Sequence, residues 1–255
     1  MAEGPVVHYY SRQLSSVLQN KRVEIVFGPK KLKAAESSLQ GAVVTGVEAH
    51  GKQFRIHISD GRILLVHLMM WGSWRIYRNG ATWDKPLKNA RLIMRTDSHE
   101  VVVFSAPIVK LLTQSEFLSE PRWSDLGPDP LREDFSEDEF SRRFDGCQDR
   151  EIGAVIMDQQ VVSGIGNILK SEILYRARVD PRRLVSKLSA RERDNILHWT
   201  KKLMRTWLDE IPRGRKNSWI QVYRKSGQLC PDCRDTIQFF RQAKRITFAC
   251  PTCQK

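Results

Sequence analysis

The chain has 255 residues, which is enough for a sizeable hydrophobic core and for two or three domains. Its formal net charge is +13, yet residues 1–175 hold 22 basic and 22 acidic side chains, and the whole excess lies in residues 176–255, with 20 basic against 7 acidic. A basic surface confined to one third of a chain favours a polyanionic partner, above all nucleic acid, over a merely solvated basic face. No segment approaches the roughly 18 apolar residues of a membrane span, and no secretory leader is recognisable, so we expect no membrane partner and a reducing compartment.

The first half of the chain changes from a helical to a strand pattern. Apolar residues recur at helical spacing over residues 5–20 and predict an amphipathic helix. From residue 22 to 112 the pattern becomes short strands separated by turn signals, such as Asn79-Gly80. These strands predict a β-sandwich or barrel-like domain. Examples of the predicted strands are residues 43–47, 54–58, 63–68, 74–77, 90–94 and 101–104.

The second half of the chain is predicted to be helical. Residues 121–130 form a linker rich in proline, and Ser136 with Glu139 fits a capping box that starts a helix. Residues 151–210 are helical in pattern, with breaks at Gly164, Gly166 and Pro181. The fold class is therefore α+β and multidomain, with strands first, helices second and a cysteine-rich module last. The predicted bounds are 1–120 for the strand domain, 121–132 for the linker, 133–221 for the helical domain and 222–255 for the module.

A Gly-x-Gly turn precedes the helix predicted to begin near Asn167. Its glycines, Gly164 and Gly166, let backbone N–H groups approach a ligand closely, and the start of a helix adds a positive end. This arrangement suits a phosphate. Taken alone, however, a Gly-x-Gly segment is more often only a turn.

Four cysteines near the end of the chain, Cys230, Cys233, Cys250 and Cys253, form two C-x2-C pairs separated by 16 residues. Thiolates at this spacing suit tetrahedral Zn²⁺ in a closed structural site, one per chain. Two disulfides are the alternative, which a reducing compartment disfavours. The fifth cysteine, Cys147, has no partner nearby in sequence and is interpreted as an ordinary thiol.

Several motifs occur together in the order of a known family. They are Ala2-Glu3-Gly4-Pro5, residues 126–131 (LGPDPL), residues 164–172 (GIGNILKSE) and the four-cysteine module. The ordered set resembles the formamidopyrimidine-DNA glycosylase and endonuclease VIII family of DNA repair enzymes, over essentially the whole chain. The resemblance implies an N-terminal β-sandwich, a helix–two-turn–helix domain and a C-terminal β-hairpin zinc finger. It also implies a bifunctional DNA glycosylase and AP lyase that removes oxidised bases and nicks the strand by β- or β,δ-elimination, without a redox cofactor or catalytic metal.

The resemblance assigns the chemistry to the N-terminus. Removal of Met1 would leave the α-amine of Ala2 as the nucleophile, and Glu3 would protonate the deoxyribose ring oxygen. The family usually has proline where this chain has Ala2, which puts the balance between base excision and strand cleavage in question. A non-catalytic damaged-DNA-binding protein of the same fold is the alternative.

Three further landmarks in the N-terminal domain follow from the resemblance. Lys52 matches a lysine near the family's active site, where it would contact phosphate or assist proton transfer. Met69, Met70 and Trp71 match the loop that fills the void left by an extruded base, although such residues after an apolar strand are ordinarily core. Residues 104–108 (FSAPI) lack the Arg-Phe-Gly segment of formamidopyrimidine-type members. This absence favours an endonuclease VIII-like member that acts on oxidised pyrimidines.

The resemblance places the DNA contacts in the final third of the chain. Asn167, with Gly166 beside it, would hold a backbone phosphate, and Arg245 with Lys244 would grip phosphates from the tip of the finger hairpin. The expected partner is damaged DNA, duplex and possibly single-stranded, bound by a monomer. The expected location is the cytoplasm with the nucleoid in a bacterium, or the nucleus in a eukaryote.

Overall fold

The structure is a computed structural model that describes residues 2–214 and 218–255. The chain divides into two compact units. The first contains Ala2 and residues 6–125, and the second contains residues 3–5 and 126–255. The short segment Glu3–Pro5 is therefore part of the second unit, although it is separated from the rest of that unit by 120 residues of chain.

The first unit is a β-sandwich preceded by a helix, as predicted. One four-stranded antiparallel sheet has the order β1-β6-β7-β5, and the other has the order β2-β3-β4-β8. The six strands given as examples are all present, and β1 and β8, which are only 4 and 5 residues long, also lie within the predicted strand region of residues 22–112. The elements are α1 (Gly4–Leu18), β1 (Glu24–Phe27), α2 (Lys30–Lys33), β2 (Val44–His50), β3 (Gln53–Ile58), β4 (Ile63–His67), β5 (Ser73–Arg78), β6 (Ala90–Arg95), β7 (His99–Phe104), β8 (Ile108–Leu112), α3 (Gln114–Leu118) and α4 (Pro121–Ser124).

Alternate residues of the strands build the core of this sandwich. Phe54 on β3 and Trp74 on β5 belong to different sheets, are fully buried, and meet edge to face with ring centroids 5.4 Å apart. Leu14 and Leu18 of α1 belong to the same buried cluster. The apolar stripe of α1 and the inward faces of the strands therefore form one core, which gives the loops at the strand ends a rigid support.

The second unit is helical and ends in a β-hairpin. Its first helix begins where the sequence predicts, because the Ser136 side chain accepts a hydrogen bond from the N–H of Glu139. The longest helix is capped in the same way, by Ser189 with Glu192. The elements are α5 (Glu137–Asp145), α6 (Ile152–Val155), α7 (Asn167–Ala177), α8 (Ala190–Glu210), β9 (Gln238–Gln242) and β10 (Arg245–Ala249). Across the described residues, no helix combines the length and the apolar character that crossing a membrane requires.

The hairpin turns on two residues, and the segment that leads into the cysteine module is tied to α7 through a buried carboxylate. Ala243 and Lys244 both have positive φ, at 45° and 63°, which is the geometry of a tight two-residue hairpin turn. Glu172 on α7 is buried and accepts hydrogen bonds from the N–H groups of residues 221, 222 and 223, each at 2.8 Å. The segment that leads into the cysteine module is therefore anchored to the same helix whose first turn carries Asn167.

Candidate active site

The carboxylate of Glu3 lies at the start of α7 and is completely buried. Its Oε2 accepts hydrogen bonds from the N–H groups of Gly166 at 3.0 Å and Leu169 at 3.1 Å, and its Oε1 accepts one from Ile168 at 2.9 Å. Three amides at the positive end of a helix stabilise a negative charge strongly. The side chain next to Ala2 is therefore held in one position.

This arrangement revises the phosphate site suggested by the Gly-x-Gly turn. The N–H groups of Gly166, Ile168 and Leu169 donate to Glu3, so the anion at the start of α7 belongs to the chain itself. Gly166 therefore supports Glu3 directly. A DNA contact of its own stays a prediction for this residue.

The chain start is fixed by a second contact. The N–H of Gly4 donates to the carbonyl of Gly164 at 2.8 Å, and a Cβ on Gly4 would lie only 3.0 Å from Gly164 Cα. A side chain at this position would therefore force a shift where the two backbones meet. Two motifs that are far apart in the sequence are therefore in direct contact, because Glu3 and Gly4 both form hydrogen bonds with the segment around residues 164–169.

Replacing Gly166 by alanine is expected to lower the rate of the base excision that the family resemblance implies about 10²-fold, because the added Cβ would lie 2.5 Å from Oε1 of the Glu3 carboxyl group. The matched control is Gly146→Ala, where a Cβ would meet nothing closer than 3.4 Å and φ is −67°. Single-turnover excision measures both variants. Equal rates for the two alanine variants would contradict the steric role of Gly166.

The start of α7 is bonded to the finger hairpin. The Nδ2 of Asn167 donates to the carbonyl of Ile246 at 2.8 Å, and the Nζ of Lys170 donates to the Thr247 hydroxyl at 2.6 Å. Lys170 is buried, and this burial, with the nearby charge of Arg245, lowers its pKa to about 8, although Glu3 acts in the opposite direction. The helix that holds Glu3 and the strand that carries Arg245 are therefore one connected structure.

The tip of the hairpin presents two basic side chains. Lys244 occupies the turn and Arg245 begins β10, and both are exposed. Ile246, bonded to Asn167, follows directly. The second unit thus brings together four of the predicted site residues: Glu3, Gly166, Asn167 and Arg245.

The remaining predicted residues of the reaction lie in the first unit. Ala2 is half-buried and packs against the sandwich core. Lys52 sits in the tight turn between β2 and β3, and its charge acts on the imidazole of His67 at the end of β4. Lys52 therefore lies close to the loop that begins at His67.

Met69, Met70 and Trp71 form an exposed apolar turn after β4. Their relative exposures are 40%, 54% and 76%, which excludes the alternative that they are ordinary core residues. The turn is closed by a hydrogen bond from the N–H of Gly72 to the carbonyl of Leu68 at 2.8 Å. Three consecutive exposed apolar side chains on a well-defined turn suit insertion into an apolar space.

The four cysteines of the C-x2-C pairs converge on one point. Their sulfurs all lie within 4.8 Å of one another, with 3.8 Å between Cys230 and Cys253 and 3.4 Å between Cys233 and Cys250. Tetrahedral zinc with Zn–S bonds of about 2.3 Å needs sulfurs about 3.8 Å apart, so the set fits one metal ion. A disulfide joins sulfurs about 2.05 Å apart, so these separations fit one metal site better than two disulfides.

Two residues of the site were missed by the sequence analysis. Lys170 lies inside an ordinary helical pattern, and its burial between Glu3 and Arg245 depends on contacts with residues far along the chain. His67 ends a buried strand, where a single histidine carries no recognisable signal. Its only sequence clue is its position two residues before the methionine pair.

Comparisons with known proteins identify the family of this chain. Residues 1–107 match the family model of the formamidopyrimidine-DNA glycosylase N-terminal domain, and residues 126–213 match that of the H2TH domain of the same enzyme. The formamidopyrimidine-DNA glycosylase of Rhodopseudomonas palustris strain TIE-1 is 31% identical over the full length of both chains. Endonuclease 8 of Enterobacter sp. strain 638 is 27% identical, also over both full lengths.

A solved structure shows the same fold. The formamidopyrimidine-DNA glycosylase of Lactococcus lactis, bound non-covalently to DNA that contains an AP site, superposes with a TM-score of 0.85 at 24% identity, covering 99% of each chain. Fold, motifs and full-length similarity all lead to one assignment. This chain belongs to the formamidopyrimidine-DNA glycosylase and endonuclease VIII family.

Proposed function

We propose that the N-terminal amine of Ala2 and the carboxyl group of Glu3 carry out the chemistry of this chain. Membership of its family makes it a DNA glycosylase with AP lyase activity in base excision repair. The observation that carries the residue assignment is the buried Glu3 side chain, fixed by three amides next to the proposed nucleophile. A buried carboxylate fixed by three hydrogen bonds favours an enzyme over a non-catalytic DNA-binding protein.

The first step is nucleophilic. After removal of Met1, the neutral α-amine of Ala2 attacks C1′ of the damaged nucleotide, and the C1′–N bond to the base breaks, so that the base leaves with the electron pair and takes up a proton. An α-amine titrates near 7.7–8.0, so a useful fraction is neutral at physiological pH. The Glu3 carboxylate takes a proton from the substituted amine nitrogen and passes it to the ring oxygen as the sugar opens, and this nitrogen becomes a Schiff base with C1′. The proton taken up by the departing base comes from water.

The second step breaks the strand. Loss of a proton from C2′ moves electrons toward the iminium and expels the 3′ phosphate, which is β-elimination, and a second elimination releases the 5′ phosphate. Because Ala2 is a primary amine, its iminium can lose a proton, unlike that of the family's usual proline. We infer that this slows elimination relative to base excision. Lys52 is proposed to contact a phosphate or to assist one of these proton transfers.

Damaged DNA is the proposed partner, bound by a monomer that works at the nucleoid or in the nucleus. Excision from a duplex requires that the damaged nucleotide leave the stack. Met69, Met70 and Trp71 are the proposed fillers of the resulting void, since they are exposed and apolar. Met70 and Trp71 are more exposed than Met69 and are the better candidates.

The finger is proposed to hold the DNA backbone. Cys230, Cys233, Cys250 and Cys253 would bind one structural Zn²⁺, and the Tyr175 hydroxyl lies 3.2 Å from the Cys230 sulfur, as a supporting hydrogen bond would require. Bound zinc would supply only rigidity, because a four-thiolate site has no open position. The module then presents Arg245 to a phosphate.

Asn167 can serve both the hairpin and the DNA. A carboxamide has two N–H donors, and one of those of Asn167 already goes to Ile246. The second N–H of the carboxamide is a donor of the same type and can bind a phosphate oxygen. Gly166 and Lys244 flank these two phosphate-binding side chains in sequence, and we propose them as secondary contacts.

Arg245→Ala is expected to weaken binding to lesion duplex and to reduce the slope of log affinity against log salt concentration by about 1, because one phosphate contact is lost. The control is Arg142→Ala, which removes an exposed arginine paired with Glu139 on α5. Fluorescence anisotropy between about 50 and 200 mM salt measures the affinity of both variants. A protein with six or more phosphate contacts loses about 10³-fold or more in affinity over this range, so the loss of one contact is measurable. An unchanged slope would remove Arg245 from the interface.

The proposed substrate class is oxidised pyrimidines, as the absence of an Arg-Phe-Gly segment at residues 104–108 suggests. A panel of oligonucleotides tests this and the function together. Each oligonucleotide carries an oxidised pyrimidine, an oxidised purine, a formamidopyrimidine or an AP site, in single- and double-stranded form. Excision of oxidised purines alone would contradict the pyrimidine assignment. Inactivity of Met-processed protein on every substrate would contradict the enzyme assignment itself.

A further inference from the structure

We propose that His67 is a positioning residue for base extrusion: through a hydrogen bond to the backbone of Met69 it holds the Met69–Trp71 turn in the shape that fills a duplex void. The inference rests on the proposed function, and it assigns a role to a side chain that does not itself enter the DNA. It predicts a defect confined to duplex substrates.

The geometry of the turn requires a backbone conformation that its sequence does not favour. Met69 has φ of 51°, in the left-handed region that L residues with a Cβ rarely adopt. Its N–H donates to Nδ1 of His67 at 3.1 Å. The hydrogen bond to the imidazole therefore offsets part of the free-energy cost of the left-handed conformation at Met69, just after β4.

The far end of the turn is fixed as well. Gly72 closes it by donating to the Leu68 carbonyl, and a Cβ at Gly72 would lie 2.7 Å from that same oxygen. Leu68 is buried in the sandwich core. Of the two supports of the turn, one is thus backbone and core packing, and the other is the His67 side chain.

The imidazole is kept in the state that can accept this bond. Its burial, together with the charges of Lys52 and Arg122, lowers the pKa of His67 to about 4. Nδ1 therefore remains unprotonated at neutral pH, and the ring proton lies on Nε2. A protonated imidazole would present a second donor to the Met69 N–H and would lose the contact.

Single-stranded DNA has no opposite strand and leaves no void to fill. If His67 acts only through the turn, its loss leaves excision from single strands and the reaction with AP sites in single strands intact. The informative quantity is the ratio of duplex to single-strand excision rates.

Two isosteric amides separate positioning from simple packing. The carboxamide oxygen of His67→Asn can occupy the place of Nδ1, whereas that of His67→Gln lies one bond further out, near the place of Nε2. We expect His67→Gln to lower the ratio of duplex to single-strand excision rates about tenfold. This factor corresponds to the cost of holding one residue in the left-handed conformation without the hydrogen bond that stabilises it. We expect His67→Asn to retain most of the wild-type ratio.

Thermal unfolding and borohydride trapping on single-stranded AP-site DNA accompany both variants. A wild-type enzyme that fails to trap contradicts the proposed function and not this inference. With trapping intact, equal ratios for Asn, Gln and wild type would overturn the role of His67. A loss of activity on single strands as large as that on duplexes would overturn it too, since the defect would then lie outside the turn.

Discussion

Replacing Glu3 by glutamine is expected to slow base excision by roughly 10²–10⁴-fold, the contribution of a general acid. The Glu3 carboxylate accepts three backbone hydrogen bonds through two oxygens. In the variant an NH₂ group would face at least one of these N–H donors, and no proton could pass to the ring oxygen. Activity on preformed AP sites should fall less, because the base has already left. Single-turnover kinetics on both substrates measures the difference.

A matched control separates chemistry from stability. Glu172 is also a buried carboxylate that accepts three backbone N–H groups, in residues 221–223, but it lies in the anchor of the cysteine module. Glu172→Gln should lose a comparable amount of stability, about 1–3 kcal/mol, as buried donors lose their acceptor. At saturating enzyme it should still excise the base. Excision by Glu3→Gln at the wild-type rate would contradict the assigned role of Glu3.

Loss of the metal site is expected to weaken binding to lesion duplex by at least about tenfold, because a structural zinc commonly supplies the folding free energy of so small a module. Cys250→Ser would break the four-sulfur set. The hairpin would then no longer keep Arg245 in position. The hydrogen bonds from Asn167 to Ile246 and from Lys170 to Thr247 would be lost as well. The amine of Ala2 would be chemically unaffected and should still form a Schiff base at high protein and DNA concentrations.

Cys147→Ser is the natural control for this experiment, because Cys147 is a buried thiol outside the cluster. It should retain one zinc per chain and wild-type affinity. Metal content by atomic emission and binding by anisotropy are measured on the same samples. Undiminished binding by zinc-free protein would show that the finger does not need the metal to engage DNA.

The sequence predicted those parts of the molecule that depend on local pattern. The strands of the sandwich, the helix that Ser136 starts and the convergence of the four cysteines follow from alternation, capping and spacing within a few residues. The assignment of the site required the ordered motifs of a family. The short strands β1 and β8 lie inside the region predicted to form strands, but 4 or 5 residues give too little pattern to place each of them individually.

The contacts that could not be predicted join distant parts of the chain. Glu3 and Gly166 are 163 positions apart in the sequence, and neither residue type indicates that the other is its hydrogen-bond partner. The Gly-x-Gly turn was interpreted as a binding site for a phosphate, whereas the group that its amides bind is the Glu3 carboxylate of the same chain. Lys170 and the His67 contact to Met69 depend in the same way on burial and backbone conformation, which appear only in the folded structure.

The central claim is that the reaction runs from the α-amine of Ala2. Borohydride reduction of wild-type protein, verified by mass spectrometry to lack Met1, in the presence of AP-site duplex tests it most directly. Reduction should yield one covalent adduct, and peptide mapping should place it on the N-terminal residue, Ala2. An adduct on Lys52 or another lysine, or no adduct with Met-processed protein, would contradict the account.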